Sequence, residues 1–369
     1  MMKKMMFLAA LLMSFAATAP LFADNDEKEQ NEPFAVYKFP AKDIEKVTVL
    51  TFGGSIRVNG DATGEAVVEV WIRPSSGWKK LSKEEIKKIL DAYYLLSVKS
   101  VAGELHVEAG RASGKRLPFN NGLSISFHLS VPQKAASKLS TSGGSIHIRN
   151  LTGKEELNTS GGSLHIVDVS GTVTGRTSGG SIHLSGSKGE IELATSGGSI
   201  HAENSEGQLN LKTAGGSLRL SGLGGNIDAA TSGGSIHLSD LTGTVKAKTS
   251  GGSVHADHVN GTLATGTSGG SMKLADIAGN LEAHTSGGSM NVQITSVAEY
   301  VRLSNTGNIS LALPGGKGYT LKIQGNRIET EAIKNFQGAF ESKNIEGTLN
   351  GGGAEISVKS SQRVRLTFE

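Results

Sequence analysis

The stretch TSGGSIHI, Thr141–Ile148, decides how the rest of the chain is read. It returns as TSGGSLHI from Thr159, TSGGSIHL from Thr177, TSGGSIHA from Thr195 and TAGGSLRL from Thr213. Further copies start at Thr231, Thr249, Thr267 and Thr285, the last reading TSGGSMNV. The nine copies follow at steps of 18 residues with no insertion. Such a period marks an architecture in which each unit packs on its neighbours.

Numbering the positions from the Thr of each copy exposes the pattern. Positions 3 and 4 are Gly and position 5 is Ser in all nine copies. Positions 6 and 8 are always apolar, and positions 15 and 17 are mostly apolar or small, as in Val245 and Ala247. Alternation of this kind is the period-2 mark of strands. Position 10 reads Asn150, Asp168, Gly186, Asn204, Gly222, Asp240, His258 and Asp276, and position 13 is Gly from Gly153 to Gly279. Asn, Asp and Gly tolerate positive φ at corners. Each unit is expected to hold two strands and two turns of about nine residues each. Large residues should form one wall of a thin core and small ones the other. The predicted fold is all-β, a parallel β-solenoid of 18-residue two-strand coils with a small N-terminal α+β cap. Invariant spacing keeps the columns in register, since a slip of one residue would turn every core side chain outward. The Thr and Ser hydroxyls of TSGGS are placed to hydrogen-bond along the stack.

Five segments follow. Residues 1–23, with Lys3 and Lys4 ahead of an apolar run, read as a signal peptide, too short to span a bilayer. Residues 24–33 are an acidic stretch expected to be flexible. Residues 34–140 form a strand-rich cap with one helix, in which Ser82 and Glu85 make a capping box and Ile86, Ile89, Leu90 and Tyr93 share a face. Trp71 and Trp78 are expected in the core of this cap. Residues 141–294 are the nine-coil solenoid, and residues 295–369 an irregular β region that closes it. A solenoid end left open invites edge pairing, so both ends need closure.

The passages FGGSIRV, FHLSVPQKAASKLSTSGGSIHI, GNISLALP and GTLNGGGAEISVKSS resemble a bacterial β-strand-repeat family of unknown function labelled "putative adhesin". The resemblance covers nearly the whole chain after residue 23. It implies an exported β-solenoid with an adhesive role and brings no catalytic or binding residues.

Composition restricts the chemistry. The chain has no Cys, which removes disulfides, thiol catalysis and thiolate metal sites. The formal charge is +3, and +1 once Lys3 and Lys4 are removed with the leader, too balanced for nucleic acid or an anionic membrane as the main partner. Calcium β-rolls need Asp where this repeat carries apolar residues such as Leu238. Stacking platforms are missing from the repeats, which hold no Phe, Tyr or Trp between Phe127 and Tyr300.

Position 7 is the distinctive outward row: His147, His165, His183, His201, Arg219, His237, His255, Lys273 and Asn291. Its plainest reading is a polar residue that stacks. A pH-sensitive face is a second reading, and a transition-metal or haem site on the six histidines a third. No acid column accompanies the row to orient a liganding imidazole. Ser145 and His147 share a face, but residues two apart on a strand stand about 6.5 Å from one another, and a triad needs contact and a carboxylate. The function expected is therefore non-enzymatic, with no cofactor: an adhesin or cell-envelope scaffold meeting a protein or glycan partner. The alternative is a periplasmic binding or sensing module for an envelope partner, with the histidine row as a pH- or metal-responsive face. Export through the general secretory route is expected, to periplasm, cell surface or medium.

Overall fold

Within each of the first five repeats the chain makes a four-residue strand at positions 6–9 and an eight-residue strand that ends on the Thr of the next copy. Ile182–Ser185 and Lys188–Thr195 are one such pair. The halves are unequal, not the two equal turns-and-strands expected. The reason lies in the corners. The corner at position 10 takes one residue in the left-handed region, with φ of 55° at Asn150 and 53° at Asp168. The corner at S-G-G-S takes four. The Gly at position 13 is no corner at all. It lies inside the long strand with positive φ, 125° at Gly189 and 130° at Gly207, and a Cβ there would meet the carbonyl oxygen of the Gly one coil below at 2.1–2.2 Å. From Ile236 onward the position-10 corner no longer interrupts the strand, as in Ile236–Thr249, Val254–Thr267 and Met272–Thr285.

This computed structural model describes residues 32–75, 81–114 and 122–369. The leader, most of the acidic stretch and Trp78 lie outside them. Residues from Phe34 to Glu369 form one compact unit, and their strands join one continuous hydrogen-bonded sheet. Consecutive coils pair in parallel, Ile182 on Ile200 and Ile191 on Leu209, and the register holds up to Met272–Thr285, whose pairing with Met290–Asn305 shifts around Ile277 and Gly279. The expected β-solenoid is the fold observed.

Positions 6, 8, 15 and 17 point inward, as Ile236, Leu238, Val245 and Ala247 do. Position 11 adds an inward column that the alternation did not reveal: Leu151, Val169, Leu223, Leu241, Val259 and Ile277, with Ser187 and Ser205 between. Those two serines stay buried because each hydroxyl accepts a backbone N–H and donates to a carbonyl, Ser187 from Val169 N at 3.2 Å and to Ser185 O at 3.0 Å. Large and small residues are mixed on both walls, Leu209 and Leu211 on the long one and Ala202 and Ala256 on the short. Where Gly175 leaves room, Leu193 and Leu164 fill it. Each buried Leu or Ile contributes about 1.5–3 kcal/mol, so the columns carry the stability of the stack.

The stack runs past Thr141 and past Ile294. Lys46–Thr51 and Ile56–Asn59 pair in parallel with Ala136–Thr141 and Ile146–Arg149, so TFGGSIRV from Thr51 is one more coil of the same kind. Beneath it lie Glu104–Arg111 and Leu123–Ser130, again parallel. The chain thus inserts residues 46–59 between two segments that come later in sequence. Antiparallel strands Ala35–Pro40, Glu65–Pro74 and Tyr94–Val101 finish this end. The helix Lys83–Tyr93 carries the expected Ser82–Glu85 capping box and buries Ile86 and Leu90. At the other end Ile309–Leu313 and Arg363–Phe368 stack in parallel above Met290. Ala354–Ser360 joins them, and Tyr319–Gln324, Phe336–Phe340 and Asn344–Leu349 close the end in antiparallel pairs.

Trp71 is not in the core. Along Glu65–Pro74 the inward residues are Val68, Val70 and Ile72, so Trp71 falls on the opposite face, half-buried. Its indole N–H donates to Glu69 Oε2 at 3.1 Å, and its ring lies 5.3 Å from that of His128.

Candidate functional site

Position 7 sits between two inward positions and faces outward, which is how alternation places it. Register then lines these residues up one per coil. His147 pairs with His165, His165 with His183, and His183 with His201. Arg219, His237, His255, Lys273 and Asn291 follow in order. The sequence pattern missed both ends of the row. Arg57 stands below His147 and His128 below Arg57. Ser310 and Arg365 continue above Asn291. From His128 to Arg365 the row contains no carboxylate.

The imidazoles stack. His147 and His165 have ring centroids 4.3 Å apart and planes 1° from parallel, and His165 and His183 are 4.9 Å apart at 7°. His183 and His201 are 6.2 Å apart and tilted by 37°. His201 Nε2 lies 3.7 Å from Glu203 Oε2, so this ring has a carboxylate beside it. His237 and His255 are 6.0 Å apart at 29°.

Burial, more than repulsion between neighbours, sets the charge state. It pushes the His147 imidazole down to about 3, with His165 and Arg57 as smaller positive neighbours. His183 is lowered first by burial and then by His201, and His237 first by burial and then by Arg219. In all three the leading cause is desolvation in the packed row.

Metal chemistry at the row is restricted by the same stacking. Ring lone pairs lie in the ring plane, so those of the parallel His147, His165 and His183 rings run alongside one another and do not converge on one ion. The row-5 hydroxyls are occupied by the stack: Ser145 Oγ accepts the backbone N–H of Ser163 at 3.1 Å and Ser163 Oγ that of Ser181 at 3.2 Å.

A different grouping forms at the position-10 corner. His258 Nδ1 is 3.2 Å from Asp257 Oδ2, and its Nε2 is 3.6 Å from Asp276 Oδ2. One nitrogen and two carboxylate oxygens therefore lie within 4.8 Å of one another, the donor set among the described residues that could hold a metal ion. His258 and Asp276 border a shallow groove with Asp240, Thr242 and Asn260. The sequence carries the signal as His258 in a column of Asn, Asp and Gly. It reads there as a corner residue because the neighbouring donor, Asp276, is one coil away.

Among the described residues no helix is long and apolar enough to cross a membrane. No protein-family model matches the chain, and no curated protein matches it. Among solved structures, it is similar to a "putative cell adhesion protein" from Clostridium sporogenes, at 8% identity over 91% of this chain and 98% of that one, with a TM-score of 0.20. At that score the likeness carries no argument, and the fold rests on the coils themselves.

Proposed function

We propose that this chain is an exported, non-enzymatic β-solenoid that acts as an adhesin or cell-envelope scaffold. The observation that carries the reading is the unbroken outward row: coils without insertions repeat one polar residue along the whole stack, a surface suited to many weak contacts with an extended partner and not to one small substrate. The resemblance to the adhesin-labelled repeat family points the same way. The test is protease treatment of intact cells that produce the protein, followed by comparison of their attachment with that of a deletion strain. Cleavage on intact cells and weakened attachment are expected. Full protection until the outer envelope is opened, with attachment unchanged, would overturn the adhesive role.

A second reading is a periplasmic binding or sensing module whose histidine face responds to pH. The observation favouring it is the stacked His147–His165–His183 run, in which burial disfavours the charged form of His147 and His183. Under this reading the protein is shielded on intact cells.

A further inference from the structure

The row has two properties that the function above does not use. It is long, and from His128 to Arg365 it is basic or neutral, with Arg57, Arg219 and Lys273 as permanent cations set among imidazoles and Arg365, 3.5 Å from Glu329 Oε2, at its end. It also ends beside an aromatic ring. Trp71, expected in the core, faces outward next to His128, and Phe52 on the Arg57 coil is 54% exposed, with the Arg111 guanidinium 4.9 Å from its ring.

We propose that the row from His128 to Arg365, with Trp71 at one end, is a binding track for a linear acidic polysaccharide lying along the stack. The proposal rests on the adhesive reading and names the class of its partner. Coils recur about every 4.8 Å, the length scale of one sugar ring, so an extended glycan can meet successive row residues with successive rings. Its carboxylates or sulfates answer the guanidinium and ammonium groups. Its hydroxyls match imidazoles, which both donate and accept hydrogen bonds. The outward Trp71 face offers an apolar surface for a sugar ring. Nucleic acid fits less well, because dense phosphate is held by dense permanent cations, and here these are several coils apart.

Binding on this track takes up protons. The charges that face the imidazoles are few. Arg57, Arg219 and Lys273 stand within the row and Arg149 in the neighbouring row, while the acids are Glu203, Asp257 and, beside His128, Glu69. A polyanion laid over the row supplies the negative charge that these groups do not, so each imidazole charges more readily when the glycan is bound. Affinity rises as pH falls across the histidine range.

The test uses the full chain and measures binding of polygalacturonate, dextran and poly(dT) by calorimetry at about pH 7.5 and about pH 5.5 in moderate salt. Polygalacturonate should bind roughly tenfold more tightly at the lower pH, and dextran should not bind. Replacing the exposed residues together, as Arg219→Gln, Lys273→Gln, His237→Asn and His255→Asn, should weaken polygalacturonate roughly tenfold with the melting temperature unchanged. Because that variant removes several groups, Glu203→Gln provides a gain-of-binding check: it should tighten binding. Equal binding of dextran, an affinity indifferent to pH, tighter binding of poly(dT), or variants that bind like the parent would each overturn the track. Surface exposure with no glycan binding would sink the track alone, whereas binding by a protein shielded on intact cells would sink only the adhesive role.

Discussion

The hydroxyl of Thr195 donates to the carbonyl oxygen of Gly180, one coil below, at 2.7 Å, and accepts the N–H of its own Gly198 at 3.3 Å. The same pair of bonds recurs at Thr159, Thr177, Thr213, Thr231, Thr249 and Thr267. One buried hydroxyl thus closes its own corner and ties it to the next. Asn305 takes over the role with its amide, donating to Gly288 O at 2.9 Å and accepting from Gly307 N at 2.9 Å, and Ser360 Oγ in turn donates to Gly307 O at 2.8 Å. Thr195→Val keeps the shape and removes both bonds, leaving a donor and an acceptor unpaired. The expected loss is about 1–3 kcal/mol, read from urea unfolding. Ser196→Ala, on an exposed neighbour, should change stability by less than about 0.5 kcal/mol. Equal effects would remove the hydroxyl ladder as a source of stability.

The two glycines of the corner are not equivalent. A Cβ on Gly180 would lie 2.0 Å from Gly162 O, against backbone that cannot yield, whereas a Cβ on Gly179 meets nothing closer than 3.6 Å. Gly180→Ala should therefore destabilise by about 3 kcal/mol or prevent folding. Gly179→Ala should be neutral or stabilise by up to about 1 kcal/mol, because it restricts only the unfolded chain. Melting curves of the two variants decide the matter. Similar losses would show that position 3 is also sterically required.

Glu155 occupies a core position that Val173 and Ile191 fill in the coils above, and it is fully buried. Ser137 donates to its Oε2, and its Oε1 has no partner. Burial pushes its carboxyl up to about 7. Below about pH 4.5 the group is protonated in both folded and unfolded chains and the penalty vanishes. As pH rises from there to about 7, the unfolded chain ionises first, so the penalty accumulates to about 3 kcal/mol and then stays constant. The double substitution Glu155→Leu, Ser137→Ala should stabilise the protein by about 2–3 kcal/mol at pH 8. That gain should fade towards pH 4.5. A gain independent of pH would mean that the carboxyl keeps its ordinary acidity in the folded protein.

His147 acts in the opposite direction, destabilising as pH falls. Its folded value is lowered to about 3 from an ordinary 6.5. The neutral ring's contribution is complete above about 6.5 and is lost as pH falls through the interval down to about 3. With the row partly open to water, the full effect is about 1–3 kcal/mol. His147→Asn should flatten the fall in unfolding midpoint between pH 6.5 and 4, and NMR of the parent should find this ring neutral at pH 5. A His147 that titrates near 6.5 would show the row to be fully solvated.

The sequence by itself determined the coil. An exact 18-residue period carries its own register, because each inward side chain lies above its equivalent one coil earlier. Alternation then fixed which side of the strand His147 or Ile146 takes, and Asn or Asp at position 10 marked the left-handed corner. The tertiary structure alone decided everything that joins segments distant in sequence. Only long-range pairing slots Lys46–Asn59 between later strands, and so adds Arg57 and His128 to the row. Alternation with Val70 and Ile72 puts Trp71 on the outer face of its strand, and only the pairing of that strand sets it beside His128. Glu155 reads as one more polar residue in a coil, yet its alternation places it in the core, where Ser137 partly satisfies it. Asp276 reaches His258 across a coil boundary that local spacing does not register. Periodicity is local information repeated many times, whereas ends, insertions and corner clusters depend on which distant backbone completes the hydrogen bonds of an open edge.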